Sequence, residues 1–214
     1  MKNIVIIGAG DLGKEVIWLI EDINKRKPTY VILGFLDDDK AKLGGEFYGY
    51  KVLGDNSDLE TISKYTQCTA IIAIQNGSIR KKIVEEHSYF SGWESIIHPT
   101  AVIASTSPVG KGSIVFPQVT VSVDTKLGDF NLYYINCIIC NDCKIGNYVS
   151  IMSGASVSEH AEVWDECFLA SGSCVYPHKK LGRKTKVGVE ATASRDYADG
   201  SEVNEKSGGF SLFK

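Results

Sequence analysis

Long apolar runs are what this sequence most clearly lacks. None approaches the roughly 20 residues that a membrane-spanning helix requires. The opening stretch, "MKNIVIIGAG", is broken by Gly8; it is too short for a signal-peptide core and reads as a first β-strand. Proline is scarce, with 5 in 214 residues, and the net charge of −3 shows no excess of one sign. That balance excludes a basic nucleic-acid footprint and a disordered acidic tail. What remains is ordinary for a globular chain, 43% hydrophobic and 23% charged, with enough length for one large or two small domains. Six cysteines without a secretion signal predict free thiols in a reducing, cytoplasmic setting.

From Ile97 onward the chain repeats every six residues. Ile97, Ile103, Val109, Val115, Val121, Leu127, Tyr133, Ile139 and Ile145 open a series that continues through Ile151, Val157, Val163, Leu169, Val175, Leu181, Val187 and Ala193. Fifteen of these 17 positions are Ile, Leu or Val. Two residues before each lies a mostly small residue, among them Thr125, Cys137, Cys143, Ala155, Ala161, Cys167 and Ser173. One aliphatic and one small residue per hexapeptide predict a parallel β-helix, three strands and three corners to a coil. Gly110, Gly128, Gly146 and Gly182 recur at multiples of 18, with Trp164 breaking the series. Glycine is expected there for its freedom of backbone angle. Coils stack about 4.8 Å apart, so residues 18 apart become vertical neighbours and the stack shares one core.

The repeat decides how "CIICNDC", Cys137 to Cys143, is read. Its spacing suggests half a metal cluster. Yet Cys137, Cys143 and Cys167 fall in the small inward phase, Cys140 falls at a corner, and no His or Cys partner completes a ligand set. Core packing is the expectation, with no metal.

Before the repeat, strand and helix patterns alternate. "NIVIIGAGDLGKEVIWLIEDI" reads as strand, glycine turn and helix, with Val16, Leu19, Ile20 and Ile23 as its apolar stripe. "YVILGFLDDD" is a second strand, "GGEFYGYKVLGD" a hairpin or loop, Asp58 to Tyr65 a short helix, "CTAIIAI" a third strand, and Ser78 to His87 another helix. This predicts a small parallel sheet. The expected domains are a Rossmann-like residues 1–95, a β-helix over 96–200 and a tail over 201–214. Gly8, Gly10 and Gly13 satisfy G-x-G-x-x-G between strand and helix, where backbone N–H groups and a helix N-terminus can approach phosphate. A nucleotide or nucleotide-sugar site, an NAD site and a structural tight turn all fit that motif. About three βα units are few for a full dinucleotide fold.

A glycine-turn α/β module joined to a hexapeptide β-helix resembles the bacterial sugar acyltransferases of the sialic acid O-acetyltransferase and bacillosamine-pathway N-acetyltransferase type. "GAGDLGKEV", "GFLDDD", "AIQNGSIRKKI", "IIHPTAVI" and "CKIGNYVSIMSGASVSEHAEV" carry the resemblance, which spans nearly the whole chain. It implies a left-handed β-helix and a homotrimer. It also implies acetyl-CoA or another acyl-CoA as co-substrate between protomers, and a nucleotide-linked sugar held partly by the N-terminal domain. By the same resemblance Gly8, Ala9, Gly10 and Gly13 form the nucleotide-binding turn, and Asp37 and Asp38 lie near the base. Gly154 is an oxyanion donor and Gly172 lies beside the pantetheine arm.

The chain departs from the family pattern where catalysis sits. The catalytic histidine of a "DHDC" run becomes Asn141, within Cys140-Asn141-Asp142-Cys143. A second histidine falls on Ser150, a usual asparagine on Tyr134, and a C-terminal "GNPA" is replaced by "VNEKSGG". Acyl transfer requires the nucleophile's proton to be removed, and asparagine cannot accept one. An 18-residue step through Asp142 gives Asp124, Asp142, His160, His178 and Asp196. Asp142 and His160 are therefore expected on adjacent coils, within hydrogen-bond reach, as a candidate dyad. Corner residues merely facing solvent are the alternative. His98 is expected to be satisfied near the domain junction and His87 to lie on the surface. Lys179, Lys180, Arg183, Lys184 and Lys186 form the densest basic run, suited to the phosphates of a coenzyme A. Trp164 is expected to face outward.

Two readings follow: an acyl-CoA-dependent N- or O-acyltransferase acting on a nucleotide-linked amino or hydroxy sugar for surface glycans, or a catalytically silent relative that binds a nucleotide sugar as a scaffold or regulatory subunit. A nicotinamide-dependent oxidoreductase rests on the glycine turn alone.

Overall fold

A computed structural model describes residues 1–204. They divide into two compact units, Met1–Pro99 with Lys111–Ser113, and Thr100–Gly110 with Ile114 onward.

In the first unit, β1 (Lys2–Ile7), α1 (Asp11–Arg26), β2 (Tyr30–Leu36), β3 (Glu46–Phe47), β4 (Tyr50–Gly54), α2 (Leu59–Thr66), β5 (Thr69–Ile72) and α3 (Gly77–Glu86) follow in order. The sheet order is β3-β4-β2-β1-β5. β1 runs parallel to β2 and β5, and only the β3–β4 hairpin is antiparallel. Ile4 to Ile7 form a continuous buried run, as a parallel strand covered on both faces demands. The buried stripe of α1 is Val16, Ile17, Leu19 and Ile20, so Ile17 takes the place expected of Ile23.

The second unit is a left-handed parallel β-helix of two-residue strands. Lys126–Leu127, Lys144–Ile145, Glu162–Val163 and Lys180–Leu181 stack as one face. A second face runs from Ile114–Val115 through Leu132–Tyr133, Ser150–Ile151, Phe168–Leu169 and Lys186–Val187 to Glu202–Val203. The third runs from Val102–Ile103 through Thr120–Val121, Ile138–Ile139, Ser156–Val157 and Cys174–Val175 to Thr192–Ala193. The second residue of each strand points inward, so Val115, Ile139, Ile151, Val157, Leu169 and Val175 are fully buried. The small phase is buried beside them, with Cys137, Cys143, Ala155, Ala161 and Ser173 at 0% exposure.

Three details differ from expectation. The slot at Val109 forms no strand; Pro108, its first residue, has no N–H to donate to the next rung. The last coil is two residues short: vertical partners are 18 apart at Thr125 and Ser107 but 16 apart at Arg183 and Asp199. The ladder also reaches Glu202–Val203, past the expected end at 200. Residues 205–214, including most of "VNEKSGG", lie outside the described residues.

The corner glycines are needed for closeness, not for backbone angle. Gly128 and Gly146 are absent from the positive-φ positions. A Cβ on Gly128 would instead lie 2.5 Å from the Gly146 carbonyl oxygen, and one on Gly146 would lie 2.7 Å from the Asp165 nitrogen. The left-handed corner positions are held by other residues, among them Asp142, His160 and His178.

Candidate functional site

Two places carry the expected chemistry, one in each unit.

In the first unit the glycine turn joins β1 to α1. Gly8 has φ +107, and a Cβ there would lie 2.8 Å from the Ala73 carbonyl oxygen; only glycine fits. Gly13 meets the Gly8 carbonyl in the same way, whereas nothing lies within 4 Å of a Cβ on Gly10. Gly10 caps α1 without a side-chain hydrogen bond, so the helix offers its first N–H groups outward, an arrangement that favours anions. Asp37 and Asp38, at the end of β2, are both engaged within the chain. The Asp37 carboxylate accepts the Ala9 N–H at 2.7 Å and the Lys42 ammonium at 3.0 Å. Lys42 also donates to the Ala9 carbonyl at 3.0 Å. Burial acts to raise the Asp37 carboxyl, but donation from the Asp39 N–H, Lys42 and the Ala9 N–H outweighs it and holds it below the usual carboxylate range. Asp38 accepts from the Asn56 N–H and side-chain amide at 3.0 and 2.8 Å. The acidic pair shapes the turn and the β4–α2 loop.

Both remaining histidines of this unit are structural. His98 is 3% exposed, with Nε2 2.8 Å from an Asp22 oxygen and its ring stacked on Trp18. That hydrogen bond, with one from Lys25, holds the Asp22 carboxyl low. His87, expected on the surface, is 7% exposed, because it closes α3 against the unit's interior.

In the second unit a groove of about 360 Å³ runs along the first face, lined by Asp124, Lys126, Asp142, Cys143, Lys144, His160 and Glu162. A neighbouring groove of about 340 Å³, on the other side of the same Lys126, Lys144 and Glu162 column, reaches Val163 and Trp164. Trp164 is 46% exposed, with the Arg183 guanidinium 6.0 Å from its ring. Glu162 accepts from Lys144 at 2.9 Å and faces Lys180 at 3.6 Å. The hydrogen bond from Lys144, then its charge and that of Lys180, hold the Glu162 carboxyl low. Sequence reasoning missed this column. Its signal was there: outward strand positions 18 apart, reading Lys, Lys, Glu, Lys.

Asp142 and His160 line the same groove, but no hydrogen bond joins them. The Asp142 carboxylate accepts from the Asn141 amide at 2.7 Å, and His160 stacks on His178 with centroids 4.7 Å apart and planes within 8°. Asp196 does not extend the ladder. The shortened coil moves it beneath Lys180, whose N–H it accepts at 2.9 Å.

Gly154 and Gly172 occupy a different corner of the coil, after the second face. Their N–H groups donate to Ile135 and Ser153 carbonyls at 3.1 and 3.0 Å. The Gly154 N–H is therefore satisfied by the preceding coil rather than open to a substrate carbonyl. The N–H groups of Asn141 and Glu159, which precede Asp142 and His160, donate to no described acceptor.

The basic run is dispersed around the last coils. Lys180 lies on the first face against Glu162, Lys184 faces Glu166 at 3.7 Å, and Lys186 lies on the second face against Glu202 at 3.4 Å. Lys179 follows the His178 corner. Cys137 is fully buried, and burial pushes its thiol up to about 12. No group of three or more potential metal ligands occurs among the described residues, and no helix there is long and apolar enough to cross a membrane.

Residues 3–87 match the PglD N-terminal domain. The acetyltransferase domain of PglB from Neisseria gonorrhoeae FA1090, in complex with acetyl coenzyme A, is 27% identical with a TM-score of 0.85, covering 94% of this chain and 95% of that one. WeeI from Acinetobacter baumannii AYE is 26% identical with a TM-score of 0.81, covering 94% and 96%. An Asn-for-His variant of perosamine N-acetyltransferase from Caulobacter crescentus, in complex with CoA and GDP-perosamine, shares the fold at 24% identity and a TM-score of 0.85, covering 94% and 93%. Comparison with curated protein sequences found no match.

Proposed function

We propose that this chain is a hexapeptide-repeat sugar acyltransferase with a PglD-type N-terminal domain, and that it transfers an acyl group, acetyl in the first instance, from an acyl-CoA to a nucleotide-linked sugar. The acceptor is an amino or hydroxy sugar made for a surface glycan. The working form is a cytoplasmic homotrimer with coenzyme A between protomers.

The observation that carries this reading is the groove on the first face, which brings His160, Asp142 and two lysines to one place in a fold shared with an acetyl-CoA-bound acetyltransferase domain. His160 takes the proton of the attacking amine or hydroxyl as the new N–C or O–C bond forms. The thioester C–S bond then breaks, and the proton passes to the departing thiolate, so coenzyme A leaves as the thiol. The open N–H of Glu159, next to His160, is the better placed donor for a developing oxyanion. In the first unit, the start of α1 with Gly8, Ala9, Gly10 and Gly13 suits the diphosphate of the sugar nucleotide.

One observation favours a silent relative instead: the position of the family's base holds an amide, and that amide is bonded to Asp142. The two readings separate cleanly. Release of coenzyme A thiol with a panel of nucleotide-linked amino and hydroxy sugars supports transfer. No thiol release, with a melting temperature raised by a nucleotide sugar but not by acetyl-CoA, supports the silent relative.

A further inference from the structure

Resting on the reading of His160 as the proton acceptor, we propose that His178, one coil further on, is a positioning residue that supports the His160 ring while it carries the proton.

The geometry follows from the repeat. The corner after the third face places its left-handed residue at Asp124, Asp142, His160 and His178, with φ of 55, 58, 59 and 61°. Equal backbone angles one rung apart make their Cα–Cβ bonds parallel. Where two such residues both carry flat rings, the rings stack. Phe130 and Tyr148 do so in another column, 5.4 Å apart and within 8°. His160 and His178 do so at 4.7 Å and 8°. Face-to-face stacking occupies one flat side of His160, which also lines the groove.

Two like charges at this spacing oppose each other, by about a fourfold factor in water. A single imidazolium lying on a neutral ring gains a cation–π contact. The charged groups around the two rings differ. Asp142, one rung before, and Glu162 line the groove with His160, Glu159 precedes it in the chain, and Lys126 and Lys144 line the same groove. Beyond His178 the carboxylate that an 18-residue step would supply is missing, because Asp196 is drawn to Lys180. Lys179 follows His178 directly. The acid lies on the His160 side and the added cation on the His178 side.

The test uses the full chain and steady-state thiol release. His178→Ala is expected to lower kcat about threefold with KM unchanged, and His178→Phe, which keeps a ring face, to restore most of that loss. His178→Lys is expected to lower kcat about fourfold, with partial recovery at high salt. In a His160→Gln background none of the three should change the residual turnover. If His160→Gln abolishes turnover while the His178 variants all match the parent, the positioning role is wrong and the base assignment stands. If His160→Gln leaves turnover intact, the base assignment itself is wrong.

Discussion

The carboxylate of Asp37 receives the Ala9 N–H at 2.7 Å, which ties the end of β2 to the glycine turn that follows β1. Lys42 closes the same junction from the β2–β3 connection by bonding both residues. Asp37→Ala should destabilise the chain by about 2 kcal/mol, since it removes hydrogen bonds to a charged, largely buried group. It should also weaken nucleotide-sugar binding. The pH dependence has a definite sign. Because the folded carboxyl lies below its ordinary value of 3.8, its contribution is complete above that pH and is lost as pH falls through the lower folded value. Urea unfolding between neutral and strongly acid pH should show the variant converging on the parent at the acid end. A constant difference would remove the electrostatic account.

Glycines of two kinds should respond differently to alanine. Gly128→Ala places a methyl 2.5 Å from the carbonyl oxygen of the next coil, so the rungs must part, at about 3 kcal/mol for an overpacked site. Gly154 has φ +66 but open space around its Cβ position, and Gly154→Ala should cost about 1 kcal/mol of backbone strain. Asn136 and Glu190 already tolerate comparable angles, φ 58 and 56°. Equal losses in thermal unfolding would mean that coil spacing does not depend on the glycine column.

The thiols should sort by burial. Cys137 and Cys167 are pushed up to about 12, and Cys143 to about 11, chiefly by burial. Thiolate is the reactive form, so at neutral pH iodoacetamide should leave these three unmodified in the folded chain. Cys140 and Cys174, both partly accessible, should react first. Mass spectrometry after brief labelling reads the order directly. Early modification of Cys143 would show that the groove opens to its floor.

The inward phase of the β-helix was legible because it is restated in every coil. An aliphatic residue at Ile139, Ile151 or Val157 meets the same surroundings each time, so a weak local signal accumulates. Single departures were not legible. Tyr133 fills an inward slot where Asn131, two residues back, donates to its hydroxyl at 3.0 Å and to two corner carbonyls, and no period announces that partnership. The two-residue shortening of the last coil was hidden in the same way and misplaced Asp196. The 18-residue step correctly put Asp142, His160 and His178 in one column, since that is a property of the backbone. It could not say that Asp142 would turn to Asn141 while His160 turned to His178, since that depends on side-chain torsions and competing donors. Sequence therefore locates the column, and structure chooses the pairs.

That choice of pairs gives the Asn141–Asp142 contact a measurable role. The Asn141 amide donates to Asp142 at 2.7 Å, so it holds a carboxylate of the His160 groove without being able to take a proton itself. Asp142→Asn removes a carboxylate that lines the groove with His160, and kcat should fall about tenfold, within the range of acid–base assistance. Asn141→Ala leaves that charge in place and loosens only its orientation, so the fall should be smaller, about threefold, with KM unchanged. Both side chains are at the coil surface, so melting temperatures close to the parent should accompany these losses. If Asn141→Ala instead lowered kcat as far as His160→Ala, the amide would have to touch the reacting groups, and the division of labour between the two adjacent coils would be reversed.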